Sequence, residues 1–137
     1  MITFIEVLNG HLLSDVPIAA QQNIQELLKR INKVAVAWGG PMRVTSGYRT
    51  MEEHFRIYSS IAFKRGVPFD RNMVPTKSNH LYGRAVDILD KDGALYVWLH
   101  DNPQILIDAG LYCESNTAGW VHFQSVPPAS GARWFKA

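Results

Sequence analysis

The sequence predicts an α+β domain in which helices pack on a small, mostly antiparallel sheet. Three observations carry this reading: two long stretches with helical periodicity, several short β-rich stretches with alternating faces, and a pair of those stretches at hairpin spacing. In VPIAAQQNIQELLKRINKVAVAW (16–38), Ile24, Leu27, Leu28, Ile31 and Val34 repeat as on one face of a helix. That helix is expected to start near Pro17 and stop at Gly39-Gly40-Pro41. MRVTSGYRT (42–50) is β-branched and reads as a short strand entering a turn at Gly47. EEHFRIYSSIAFKRG (52–66) reads as a second helix, with Phe55, Tyr58, Ile61 and Ala62 on one stripe and Gly66 as its stop. The segment 67–80 has two prolines and no periodicity, so it reads as a loop. RAVDILD (84–90) is a strand, and 93–110 holds two short helical pieces, the second beginning at Asp101-Asn102-Pro103. LYCE and GWVHFQ form a hairpin across SNTA. The closing PPASGARWF is expected to pack as a cover strand, with Trp134 and Phe135 closing the core.

With 137 residues, 47% of them apolar and 19% charged, the chain fits one globular domain, 1–137, and no linker or second unit is visible. A net charge of +2 is too slight to imply nucleic acid, and there is no basic stripe with interleaved aromatics. Cys113 is the single cysteine, which excludes an intrachain disulfide and a thiolate metal cluster. A metal site here would have to use imidazole and carboxylate. The start, MITFIEVLNGHLL, lacks a basic leader followed by a long apolar run, so a chain made in the cytoplasm without a signal peptide is expected. Neither membrane insertion nor a nucleic-acid partner is expected, and a monomer is.

The five histidines differ in context. His11, His54 and His100 stand beside turns or on polar helix faces and read as solvated. His80 and His122 each lie in a motif with a carboxylate within reach. In SNHLYGRAVD (78–87), alternation puts Gly83, Ala85 and Asp87 on one strand face, where the small residues would clear room beside the carboxylate. In GWVHFQ, Trp120, His122 and Gln124 share a face opposite Val121 and Phe123. His80, Asp87 and His122 would make a three-ligand set with a fourth position open to water. On spacing alone, a hydrogen-bonded pair accounts for His80 and Asp87 equally well.

SGYRT (46–50), SNHLYGRAVD and GWVHFQ resemble, in order and spacing, the zinc D-alanyl-D-alanine carboxypeptidases and the related phage L-alanyl-D-glutamate endopeptidases. The match is to S-x-H-x-x-G-x-A-x-D followed by tryptophan-x-histidine, spanning roughly 44 to 124. The resemblance implies one zinc ion per chain on His80, Asp87 and His122, and an Arg49 that holds or polarises a substrate carbonyl or carboxylate. A guanidinium suits that role because it offers a rigid fork of donors. Better-known members place an acid two or three residues before the last zinc histidine, but here those positions are Trp120 and Gly119. The nearest carboxylate is Glu114, which a hairpin would fold back toward His122, so Glu114 is the expected general base, with Asp70 as the fallback. Some phage-type relatives share this glutamate, the GWVH strand and a tail like PPASGARWF. Ser46, Tyr48, Ser78 and Trp120 are candidate substrate-binding residues, Ser78 also as a support to the metal ligands and Tyr48 also as core. The implied activity is zinc-dependent hydrolysis of peptide bonds in bacterial peptidoglycan, by an endolysin released through a separate protein or by a virion component. Terminal D-Ala-D-Ala cleavage and a zinc-bearing, non-catalytic binding domain are the alternatives.

Overall fold

The computed structural model describes residues 1–137 and has the expected α+β architecture. Helix α1 (Phe4–Leu8) was not expected from the sequence. It is one short turn, held by Thr3, whose hydroxyl accepts from the Glu6 N–H, and ended by Asn9 in the left-handed region at φ 55°. Helix α2 (Ile18–Trp38) begins directly after Pro17 and ends at Gly39, φ 71°, as the periodicity and the punctuation implied. It buries Ala20, Ile24, Leu27, Ile31 and Val34. Each large aliphatic side chain on that face contributes roughly 1.5–3 kcal/mol relative to exposure.

Strand β1 (Val44–Ser46) leads into helix α3 (Met51–Arg65), which opens with a reciprocal capping box. Thr50 accepts from the Glu53 N–H while Glu53 accepts from the Thr50 N–H. Gly66 ends α3 as expected. The stripe assigned to this helix does not enter the core, however. Only His54 is buried, while Ile57, Ile61 and Phe63 are exposed and Tyr58, Ile61 and Ala62 line a cleft of 280 Å³ against the loop 67–74. Helical periodicity shows that a face is apolar, but not what covers it.

The loop carries two 3-10 turns, Arg71–Met73 and Asn79–Tyr82. Strand β2 (Ala85–Asp90), helices α4 (Ala94–Asp101) and α5 (Gln104–Ala109), and strands β3 (Tyr112–Glu114), β4 (Gly119–Gln124) and β5 (Trp134–Phe135) complete the chain. The sheet order is β1-β2-β4-β3-β5. All pairings are antiparallel except β3 with β5, so the sheet is mixed at one edge. Val86, Ile88, Cys113, Val121 and Phe123 point from it into the core shared with α2, α4 and α5. Arg30 of α2 fastens that layer, donating from Nη1 to the carbonyls of Gly110 at 2.8 Å and Ser125 at 2.6 Å. No helix is long and apolar enough to cross a membrane.

Two expectations about the motifs need correction. Gly83 does not open the face of β2, which starts only at Ala85. It closes the Asn79–Tyr82 turn at φ 73°, and a Cβ there would lie 2.7 Å from both the Ala20 carbonyl and Ile24 Cγ1. The glycine therefore lets the turn that carries His80 sit directly on α2. Trp134 does pack against the core, stacking on His100 with centroids 3.8 Å apart, but Phe135 points the other way.

Candidate metal centre

The β2–β4 register sets Asp87 directly opposite His122 on the sheet face away from the core. His122 donates from Nδ1 to Asp87 Oδ1 at 2.8 Å and from Nε2 to Gln124 Oε1 at 2.9 Å. The Gln124 amide is itself oriented, because its nitrogen donates to the Val126 carbonyl at 2.9 Å. His80 arrives from the 3-10 turn. Its Nδ1 donates to the Gly47 carbonyl at 2.9 Å, and its Nε2 lies 3.3 Å from Asp87 Oδ2. Gly47 is available for this because the chain there presses against α1: a Cβ would come 2.3 Å from the Val7 carbonyl, which already accepts the Tyr48 N–H. The unexpected first helix thus helps seat a metal-ligand candidate.

Burial pushes the Asp87 pKa upward, but the hydrogen bonds from His122 and His80 outweigh it and hold the carboxyl far below the usual carboxylate range. For His122, burial disfavours the charged ring, yet the bond to Asp87, with help from Gln124 and the nearby Glu114 charge, raises its pKa. His80, Asp87 and His122 each offer one ligand atom, all within 4.8 Å of one another. Two imidazole nitrogens and a carboxylate oxygen suit a borderline divalent metal. Each ring also has its outer nitrogen tied to a protein carbonyl or amide oxygen, which turns the inner nitrogen toward Asp87. The cluster can hold a metal ion.

The cluster lies in an open cleft of 330 Å³. Glu114 lines it: Cys113 faces Phe123 in the core, so Glu114 takes the opposite face of β3, the one that looks toward His122. Arg49 lines it too, with Nη2 donating to Ser46 Oγ at 2.8 Å and no carboxylate paired to it. Ser46 therefore acts on Arg49 and does not line the cleft itself. Ser78 and the 39% exposed Trp120 also line it, Ser78 without a side-chain bond to the turn it precedes.

Tyr48 is not in the cleft but in the core, edge-on to His11. Asp70 is also elsewhere, accepting from the Asn72 N–H and lining the apolar cleft beside α3. Two of the three histidines read as solvated are not: His11 pairs with Glu53, and His54, 1% exposed, reaches the metal cleft next to Arg49. His100 is exposed, as expected. Phe135 was missed as a cleft residue; it stands edge-on to His122, with ring centroids 6.1 Å apart. Alternation along a two-residue strand was the available signal, since Trp134 and Phe135 cannot both face the core.

No protein-family model and no curated protein matches the chain. Among solved structures, the chain is similar to the L-Ala D-Glu endopeptidase ChiX of Serratia marcescens, at 16% identity and a TM-score of 0.49, over 80% of this chain and 87% of that one.

Proposed function

We propose that the protein is a zinc-dependent peptidase that hydrolyses peptide bonds in the stem peptides or cross-links of bacterial peptidoglycan, and so acts at the cell wall. The observation that carries this reading is the convergence of His80, Asp87 and His122 in a cleft that also contains Glu114 and Arg49. His80, Asp87 and His122 would hold a zinc ion, which when bound would supply Lewis acidity to lower the pKa of water and polarise a carbonyl. Glu114 accepts the proton of the attacking water and returns it to the leaving amine. It lines the cleft and makes no salt bridge, so the carboxylate is free for that exchange. Arg49 orients a substrate carbonyl or carboxylate oxygen with the donors it does not spend on Ser46. Ser78, Trp120 and Phe135 line the cleft and offer walls against which the peptide can lie.

The test is incubation of the zinc-loaded protein with purified peptidoglycan and defined stem peptides, scoring new amino groups and locating the cut bond by mass spectrometry. Release of amino groups is expected, and a product one D-alanine shorter would assign terminal carboxypeptidase action. Glu114→Gln should lower kcat by about a hundredfold or more while zinc stoichiometry is kept. Stoichiometric zinc binding with no bond cleaved by the parent protein would refute the peptidase reading in favour of a binding domain.

A further inference from the structure

We propose that His54 is a positioning residue, holding the Arg49 guanidinium toward the metal cleft so that it can receive an anionic or carbonyl oxygen of the substrate. His54 lies in the first turn of α3, with its backbone N–H on the Thr50 carbonyl at 3.0 Å. Its ring is buried, edge-on to Tyr58 at 4.8 Å, and still borders the cleft. Arg49 Nη1 is 3.3 Å from His54 Nδ1. A guanidinium has donors only, so Nδ1 must be the acceptor and the ring hydrogen sits on Nε2.

That assignment agrees with the surroundings of the ring. Burial, and then the Arg49 charge, push the His54 pKa down, which keeps Nδ1 free to accept. Nε2 is buried and makes no hydrogen bond; the Pro75 carbonyl, close enough to act on the ring, lies outside bonding geometry. The one hydrogen bond of bonding geometry that the buried ring makes is therefore the one to Arg49.

The consequence is a two-point clamp. Ser46, at the end of β1, accepts from Nη2, and His54, on α3, accepts from Nη1. Of the five N–H donors of Arg49, two are spent on the clamp and three remain for a ligand. The Arg49 backbone N–H also donates to the His80 carbonyl at 3.1 Å, so the clamped side chain and the turn bearing a metal-ligand candidate form one unit. Fixing the guanidinium plane beforehand spares the substrate that ordering cost.

The proposal rests on the peptidase reading for its kinetic arm only. Two substitutions separate acceptor from bulk: His54→Leu fills similar space without an acceptor, and His54→Asn places an amide oxygen close to where Nδ1 lies. With zinc-loaded protein and an acidic stem peptide, His54→Leu should raise KM about tenfold with zinc stoichiometry unchanged, whereas His54→Asn should stay within about threefold of the parent. The second arm needs no turnover. The ¹⁵N–¹H signals of the Arg49 guanidinium, assigned by their loss in Arg49→Lys, should show hindered rotation in the parent and in His54→Asn, and averaged signals in His54→Leu. A His54→Leu variant with parental KM and hindered Arg49 signals, or a His54→Asn variant as impaired as His54→Leu, would overturn the proposal. If the parent cleaves no peptide, the peptidase reading fails and the guanidinium spectra alone decide the role of His54.

Discussion

Replacing Gly83 by alanine tests whether the motif glycine serves helix packing or strand clearance. The new Cβ would sit in the left-handed region at φ 73°, which costs an L residue roughly 1–2 kcal/mol. It would also lie 2.7 Å from the Ala20 carbonyl and from Ile24 Cγ1, two atoms of α2 with little room to yield, because Ile24 is fully buried. Overpacking of that kind costs about 1–3 kcal/mol. The sum is about 2–5 kcal/mol, or a fall in Tm of about 7–17 °C for a chain of 137 residues. Gly66→Ala is the control, since Gly66 has a similar φ of 67° and open space where its Cβ would go. It should lose only the backbone part, about 1–2 kcal/mol. Urea unfolding in the presence of a chelator removes the contribution of any bound metal from the comparison. Zinc titration then checks a second consequence: lifting the turn off α2 displaces His80, so Gly83→Ala should weaken zinc binding and Gly66→Ala should not. If Gly83→Ala is no more destabilising than Gly66→Ala, the packing argument is wrong. Weakened zinc binding at unchanged stability would instead restore the strand-clearance role.

Two further outcomes are expected. Asp87→Asn should weaken zinc binding by at least about a hundredfold in competition with a chromophoric chelator, since the carboxylate is both a ligand candidate and the bridge between His80 and His122; unchanged affinity would remove Asp87 from the site. Glu53→Gln should cost about 1 kcal/mol or less at pH 7, where the Glu53 carboxylate accepts from Thr50 and pairs with His11. Burial raises the Glu53 pKa, but the Thr50 N–H and His11 outweigh it, so the folded value lies below the ordinary 4.5. A depressed carboxyl pKa stabilises the fold above the unfolded value, and that contribution is lost as pH falls through the folded one. The gap between parent and Glu53→Gln in urea midpoints should therefore narrow from about pH 4.5 downward. A constant gap would mean that the charge contributes nothing.

What could be read along the chain was whatever a local period or a punctuating residue encodes. The limits of α2, the alternating faces of β2 and β4, and the set His80, Asp87 and His122 all followed from spacing and from the motif. Helical and strand periods depend on backbone geometry alone, so they survive without knowledge of neighbours. The rest depended on which surface meets which. Sheet order and register, set by long-range pairing, brought Phe135 to the face of His122, beside the Glu114 that the hairpin already implied. The approach of α3 turned His54 from an apparent surface histidine into a buried acceptor for Arg49, and Tyr48, readable as either groove or core, took the core beside α1 and His11. Gly83 looked like open space on a strand because alternation continues on paper past the point where the strand begins. Only the contact with Ala20 and Ile24, more than fifty residues earlier in the chain, shows that the small residue admits a helix.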